Sequence, residues 1–347
     1  MTTDFRSDNT LGCSREIAEA LARAGEEAGS PYGFDPITMR LRQRCHDLFE
    51  TDVAIFPVST GTAGNALSIA AMTPAWGAVF CHKEAHVYLE ELGAAEFFTG
   101  GAKLIPLAGS DGKLRAADLA GSIEDVARGG RMAIPSCVSL TQATEGGTVY
   151  SAEELREIGD VARGHGVGVQ VDGARFANAV VATGRSPADL TWRAGVDILV
   201  LGATKNGALA AELIVVFRAE LADELGLRWH RGGQRLSKMR FLSAQLDAYL
   251  SDDLWLRNAR QANGAAARIA AGIASLPGVE IVRPVDANVL FIRLDPEIER
   301  LLREGGFLFY DWSLFGAGVV RMVTGFNTTA ADTDGLILAI RSASDAL

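Results

Sequence analysis

Several absences narrow this sequence before any residue is singled out. Neither G-x-G-x-x-G nor G-x-x-x-x-G-K-[ST] occurs, so the chain carries no dinucleotide fingerprint and no nucleoside-triphosphate loop. Its four cysteines, Cys13, Cys45, Cys81 and Cys137, are widely spaced and form no C-x-x-C. That spacing suits reduced thiols used as core filler in a cytoplasmic protein. No apolar stretch reaches membrane-spanning length, and the opening M-T-T-D-F-R-S-D is polar and acidic, unlike a secretory signal. Basic charge is short as well. With 33 Lys and Arg against 43 Asp and Glu, the net charge of -10 argues against a nucleic-acid or anionic-membrane surface. No low-complexity linker and no internal repeat is detectable.

What is present is a chain of 347 residues, 48% hydrophobic, long enough for a substantial core and two domains. Helical periodicity appears from Ile17 and from Met39, and again from Glu153 to Arg163. Strand-like runs recur near Val53, Ala78, Lys103, Met132, Val167 and Val196, with a further run from Ile214. Such alternation predicts an α/β fold, a mainly parallel sheet covered on both faces. Ligands of open sheets of this kind sit at the carboxyl ends of the strands. From Ser237 a long helical region is expected to continue to the stop signal L276-P-G-V. Short strands from Val279, Asn288, Phe307 and Gly318 then surround a helix from Pro296 to Glu304. The expected division is 1–244 for an N-terminal arm and large domain and 245–347 for a smaller one.

Two strand ends carry the most informative residues. V167-G-V-Q-V-D172-G-A-R175 places an aspartate just past one apolar run, and V196-D-I-L-V-L-G-A-T-K205 places a lysine just past another. A pyridoxal phosphate enzyme needs an amine to form a Schiff base and a carboxylate to keep the pyridine nitrogen protonated as an electron sink. Asp172 and Lys205 can face one ring from two sides. Upstream, V53-A-I-F-P-V-S-T-G-T-A-G-N runs from a short strand through a hydroxyl-rich turn into a helix. Helix N-terminal amides bind a phosphate dianion, and Thr60, Gly61 and Thr62 are the expected contacts, although helix capping alone also explains such a turn. His86 is the third element. It can stack on a cofactor ring and exchange a proton near neutral pH. His82 lies four residues earlier, but no Glu directly follows it as the zinc protease pattern requires, so no metal site is expected and His82 reads as a solvated helix start. Lys238 and Arg240 either reach a cofactor phosphate, across a subunit interface, or sit at a solvated helix start.

These stretches, together with D4-F-R-S-D-N, P31-Y-G-F-D-P, A85-H-V-Y-L-E, E145-G-G-T-V-Y, V171-D-G-A-R-F and V320-R-M-V-T, resemble the low-specificity L-threonine aldolases, including their phenylserine aldolase branch. The likeness runs in order from the first residues into the C-terminal region. It implies the aspartate-aminotransferase-like fold type I with a seven-stranded sheet, pyridoxal 5'-phosphate on Lys205, Asp172 at the pyridine nitrogen, His86 over the ring, and Gly61 and Thr62 at the phosphate. It implies that Ser7, Arg175 and Arg321 hold the substrate carboxylate, and that the assembly is a homotetramer built from dimers. Two departures stand out. Many members carry a histidine in an E-N-T-H-N stretch that engages the substrate hydroxyl, whereas here the stretch reads T141-Q-A-T-E, with Thr144 nearest that place. Thr204, counted among the cofactor contacts, stands where serine usually precedes the lysine.

The implied reaction is reversible retro-aldol cleavage of an L-3-hydroxy-α-amino acid to glycine and an aldehyde. His86, directly or through a water, is the first candidate for the base that takes the β-hydroxyl proton. Glu90, one helical turn on, either orients His86 or lies on a solvated face. Arg175 and Arg321 have plain alternatives in protein carboxylates. Transamination and β-elimination share the same Asp and Lys, because the cofactor performs the hard chemistry and the site chooses the bond. A regulatory ligand sensor on the same fold would be expected to add a DNA-binding segment and a basic patch.

Overall fold

The computed structural model describes residues 2–26, 28–129 and 133–347. Its centre is a seven-stranded sheet. Reading across the sheet, the strands are Ala54–Val58, Glu212–Val216, Ile198–Gly202, Gly168–Gly173, Ile134–Thr141, Gly77–His82 and Lys103–Leu107. All neighbours pair in parallel except Glu212–Val216, which runs antiparallel to both strands beside it. The strands Gly77–His82, Gly168–Gly173, Ile198–Gly202 and Glu212–Val216 are buried along their whole length. Helices cover both faces, which is why Ile198–Gly202 and the residues after Glu212 read as unbroken apolar runs. The expected strand near Met132 begins at Ile134, and Met132 itself lies outside the described residues. Because one strand is reversed, its first residue, Glu212, arrives at the same sheet edge as the last residues of the others, opposite Gly202 and Val58.

A second sheet of four antiparallel strands, Tyr310–Asp311, Val319–Val323, Val289–Leu294 and Val279–Ile281, lies toward the C-terminus. The run from Phe307 to Trp312 is split between two sheets: Phe307–Leu308 pairs in parallel with Thr3–Asp4 of the N-terminal arm, and Tyr310–Asp311 joins the four-stranded sheet. The long helical region expected from Ser237 is likewise interrupted. Helices Arg240–Tyr249 and Leu254–Ile273 are separated by Asp252 and Asp253 at φ of 50° and 58°. Aspartate enters that left-handed region more readily than most residues, and periodicity does not reveal it. Along Leu254–Ile273 the packing changes partner. Leu254, Trp255 and Ala259 belong to the core of the large sheet, and Ala266, Ile269 and Ile273 to the core of the small one. The expected division at 244/245 falls inside Arg240–Tyr249, whose Leu242, Leu246 and Tyr249 pack in the large core; we propose that the smaller domain begins within Leu254–Ile273, between Ala259 and Ala266. Cys45, Cys81 and Cys137 are buried free thiols, and Cys13 is half-buried.

Two glycines bring the sheet edge together. A Cβ on Gly202 would lie 2.5 Å from the carbonyl oxygen of Ala174 and 2.6 Å from its Cα, contacts with backbone that has no room to yield. Gly207, just past Lys205, sits at φ 115°, a conformation that glycine adopts without a Cβ penalty, and its carbonyl accepts from the amide of Ser14 at 2.8 Å. The lysine loop is thereby fastened to the N-terminal arm. Gly202→Ala is expected to cost about 1–3 kcal/mol, as overpacking of a filled core does. A fall in the urea midpoint at unchanged m-value is the expected result; an unshifted midpoint would show that the strand ends can spread at no cost.

Candidate active site

Asp172 lies near the end of the strand Gly168–Gly173 and Lys205 just past the adjacent parallel strand Ile198–Gly202, both at the carboxyl edge of the sheet. Asp172 is buried, with Oδ1 accepting from the amide of Ala174 at 2.9 Å and Oδ2 from Asn65 Nδ2 at 2.8 Å. Lys205 is half-buried in the short helix Thr204–Asn206 and has no hydrogen-bond or ion-pair partner among the described residues. Beside it, Glu212 accepts from the Ala203 amide at 2.8 Å and from the Thr204 hydroxyl. Burial pushes the Glu212 carboxyl up to about 7 against these hydrogen bonds. Thr204 Oγ1 also accepts from the amide of Ala211 at 3.2 Å, so this hydroxyl is committed to the loop. Helix Gly61–Met72 starts at the same edge. Thr60 is its N-cap, accepting from the Ala63 amide at 3.1 Å, and no atom lies within 4 Å of the position a Gly61 Cβ would take.

His86 opens a helix of only four residues, His86–Leu89. Glu90 is exposed and does not meet the imidazole. Its neighbour Glu91 does: His86 Nδ1 lies 2.9 Å from Glu91 Oε1, and the Glu91 side chain is 0% exposed. The helix ends too soon for a one-turn spacing to apply, and Leu92, at φ 50°, turns the chain so that residue 91 points inward. Asn65 Nδ2 donates both to Glu91 Oε1 at 2.9 Å and to Asp172 Oδ2 at 2.8 Å. Its Oδ1 accepts from Gln170 Nε2 at 2.9 Å, and Gln170 Oε1 accepts from Ser139 Oγ at 2.6 Å. Within this chain the Asn65 amide has one workable orientation, since the reverse would turn its oxygen toward two carboxylates. Donation from His86 to the Glu91 carboxylate raises the His86 pKa above its ordinary value against the opposing effect of burial, with Glu145 and Asp172 adding to the rise. His86, Glu91 and Asp172 have ligand-type atoms within 4.8 Å of one another. The Asn65 amide hydrogens stand between the two carboxylates, where a cation would have to replace them, so the trio works as a hydrogen-bonded unit.

The substrate-side residues fall into three groups. Arg175 is buried and spends Nε and Nη2 on Asp8 at 2.8 and 3.0 Å; among the described residues Nη1 has no partner. Asp8 also accepts from Asn288 Nδ2 at 3.2 Å, and the pull of Arg175 and Lys205 lowers its pKa even though burial works the other way. Arg321 has no carboxylate partner among the described residues. It donates weakly to the carbonyl of Arg6 at 3.4 Å and lies 5.2 Å over the Trp312 ring, and burial with the nearby charge of Arg175 lowers its pKa. Ser7, beside this carbonyl, caps the turn Asp8–Thr10 by accepting from the Asn9 amide at 3.1 Å. Thr144 is buried with its hydroxyl 2.8 Å from that of Thr148, both directed at the carbonyl of Asp111, and so is a structural residue of its turn. The next residue, Glu145, is half-buried, and its charge acts on His86, Arg175 and Arg321.

His82 differs from its expected solvated place. It is the buried last residue of Gly77–His82, with Nε2 3.2 Å from the Gly109 carbonyl oxygen and Nδ1 accepting from the Glu84 amide, and burial lowers its pKa. Lys238 is exposed, and Arg240 donates to the Ala24 carbonyl at 3.2 Å. Arg240 also lines a groove of about 530 Å³ with Arg23, Asp35, Arg40 and Asp247. None of Asp172, Lys205 and His86 borders that groove, so here convergent polar chemistry locates the site better than cavity size does.

The Beta-eliminating lyase family matches residues 4–296. The chain is 41% identical to the low specificity L-threonine aldolase of Pseudomonas aeruginosa over 94% of each chain. It belongs to the low-specificity L-threonine aldolase family. The Leishmania major threonine aldolase structure superposes with a TM-score of 0.91 at 25% identity, covering 98% of this chain and 99% of that one. An aspartate aminotransferase from Rhodobacter sphaeroides, at 18% identity, covering 100% of this chain and 93% of its own and with a TM-score of 0.72, shows the shared fold type I.

Enzymes of this aldolase family use pyridoxal phosphate, and the residues present fit that group. An unpaired amine, a buried carboxylate already fixed by two donors, and an open helix N-terminus converge on one edge. Sequence reading passed over Asn65, Glu91 and Gln170, whose partners lie 26 and 105 residues away. Asp8 and Glu145 lie within the family-like stretches D4-F-R-S-D-N and E145-G-G-T-V-Y. Replacing the anionic acceptor, Glu91→Gln, is expected to lower the His86 pKa, so that the neutral imidazole persists to lower pH. NMR titration of the imidazole C2 protons, of which the chain has only five, reads this directly. An unchanged or higher value would remove Glu91 as the group that sets the protonation of His86.

Proposed function

We propose that this protein catalyses reversible, pyridoxal phosphate-dependent retro-aldol cleavage of L-threonine, L-allo-threonine and related L-3-hydroxy-α-amino acids, L-phenylserine among them, to glycine and an aldehyde. The observation that carries the reading is the convergence of Lys205, Asp172 and His86 at one sheet edge in a chain of this aldolase family. When bound, the cofactor supplies the electron sink for the bond broken at Cα. Lys205 would hold the cofactor covalently, Asp172 would keep its ring nitrogen protonated, and His86, braced by Glu91, would bind beside it. Thr60, Gly61 and Thr62 present the helix start to the phosphate. Thr204 holds the lysine loop, and exposed Lys238 is available to a phosphate in a neighbouring copy.

Arg321, Ser7 and the remaining Nη1 of Arg175 receive the substrate carboxylate. Arg321 is the strongest of the three candidates, because its guanidinium is largely desolvated without a protein carboxylate to pair it. His86 was the first candidate base for the β-hydroxyl proton. The hydrogen bond to Glu91 raises its pKa, so more of the imidazole is protonated at a given pH than for a free histidine, which weakens it as the only acceptor. Glu90, exposed and turned away, has no part in this arrangement. Large apolar side chains left in solvent, Phe34 at 68%, Trp76 at 67% and Phe97 at 79% exposure, support a homotetramer. The free thiols support a reducing, cytoplasmic setting. Among the described residues no helix is long and apolar enough to cross a membrane.

The decisive experiment incubates the protein and pyridoxal phosphate with L-threonine, L-allo-threonine and L-phenylserine and identifies the products. Glycine and the matching aldehyde are expected. A keto acid with aminated cofactor would assign transamination, and a keto acid with ammonia would assign elimination. Lys205→Ala is expected to lose the visible absorption of lysine-bound cofactor once free cofactor is removed; an unchanged spectrum would sink the lysine assignment. Asp172→Ala should still bind the cofactor through Lys205 while turnover collapses. Near-wild-type turnover of that variant would move the ring-nitrogen role elsewhere.

A further inference from the structure

Five carboxylates surround the sheet edge, and four have named donors. Asp8 is held by Arg175 and Asn288, Glu91 by His86 and Asn65, Asp172 by Asn65 and the Ala174 amide, and Glu212 by the Ala203 amide and Thr204. Glu145 alone has no hydrogen-bond or ion-pair partner among the described residues. It is half-buried all the same, and its charge acts on three cationic groups that come from different parts of the chain, His86, Arg175 and Arg321.

The backbone that presents it is not free to swing away. The Gln142 amide donates to the Asp172 carbonyl at 2.8 Å, which ties the turn to the strand carrying the ring-nitrogen aspartate. The Gln142 side chain closes the loop by bonding the Tyr150 backbone twice, Nε2 to the carbonyl at 2.9 Å and Oε1 from the amide at 3.0 Å. Thr144 and Thr148 hold the loop interior through their paired hydroxyls. Glu145 is therefore a half-buried carboxylate on a fixed loop, near enough to His86, Arg175 and Arg321 for its charge to act on all three, and without a donor among the described residues. An acceptor placed in this way is open to a donor from a ligand.

We propose that Glu145 is a catalytic residue that accepts a hydrogen bond from the substrate β-hydroxyl and takes its proton during cleavage. This rests on the aldolase reading above and names the proton acceptor that reading requires. In the cleavage direction the O–H bond breaks toward Glu145, the C–O bond becomes the aldehyde carbonyl, and the Cα–Cβ bond breaks with its electron pair left at the Cα side. A proton is then added at Cα to give glycine, so the net change moves one hydrogen from oxygen to carbon and needs no outside oxidant or reductant.

The test compares Glu145→Gln with wild type, both as cofactor-loaded proteins. Glutamine keeps size and polarity but cannot take a proton. The turnover number for L-threonine and L-phenylserine is expected to fall by roughly two to four orders of magnitude, the usual worth of a positioned base. The Kd for glycine, which has no β-hydroxyl, is read by calorimetry and should stay close to wild type. Glu145→Asp, which retains the carboxylate one methylene short, should keep more of the rate than the glutamine variant. Cleavage by Glu145→Gln near the wild-type rate would overturn the proposal. So would a parallel loss of glycine affinity and turnover, since that would make Glu145 part of the general architecture of the site. Failure of the wild-type protein itself to yield glycine and aldehyde would instead refute the aldolase reading.

Discussion

The amide group of Asn65 is the interaction on which the rest of this site depends. Two buried carboxylates, Asp172 and Glu91, approach the same point, and unshielded they would repel each other in a medium that screens poorly. One NH2 group donates to both. It can do so only because Gln170 occupies its oxygen and Ser139 in turn occupies the oxygen of Gln170. Polar chains of this type are stable when their members are satisfied, and in this one Glu91 Oε2 is a buried oxygen without a partner among the described residues. Asn65 sits in the helix whose N-terminus opens on the site, Gln170 and Asp172 in one strand and Ser139 in the next. A single chain of hydrogen bonds thus registers the helix that starts at Gly61, the Asp172 carboxylate and, through Glu91, the imidazole of His86.

A second constraint is electrostatic and comes from the N-terminal arm. Arg175 and Arg321 stand close enough to disfavour each other's charge, and Asp8 offsets this by a bidentate pairing with Arg175. Removing one member of such a buried pair typically costs 3–5 kcal/mol, about the scale of a buried unpaired charge. The arm earns its place structurally as well: Phe5 packs in the small core, Thr3–Asp4 pairs with Phe307–Leu308, and Ser14 binds the loop after Lys205. It therefore links both cores to the residue that carries the amine. Arg321 is left as the cation with room for an outside carboxylate.

Much of this was legible locally. Lys205, Asp172, Thr60 and Gly61 are found where an apolar run gives way to small and polar residues, and a buried strand in a parallel sheet must end there. The alternation of strands and helices, the capping residue Thr60 and the helix Pro296–Glu304 follow from periodicity and cap chemistry, which act over a few residues. The ordered motifs added the family. Where local rules misled, a local reason exists: Glu90 was one helical turn from His86 on paper, but the helix stops at Leu89, and His82 looked polar enough for solvent although it closes a fully buried strand.

Partnership across the chain was not legible in that way. Whether Arg175 meets Asp8 or a ligand, whether Glu90 or Glu91 braces His86, and whether Thr144 or Glu145 faces the site each turn on which of two adjacent side chains points inward and on what waits there. Those choices are made by contacts 26 to 167 residues apart in sequence. Propensity and pattern encode the backbone path because their causes are short-ranged. The pairing of buried charges is decided by the whole fold, since desolvation makes each such group depend on every neighbour that tertiary packing brings within a few ångströms.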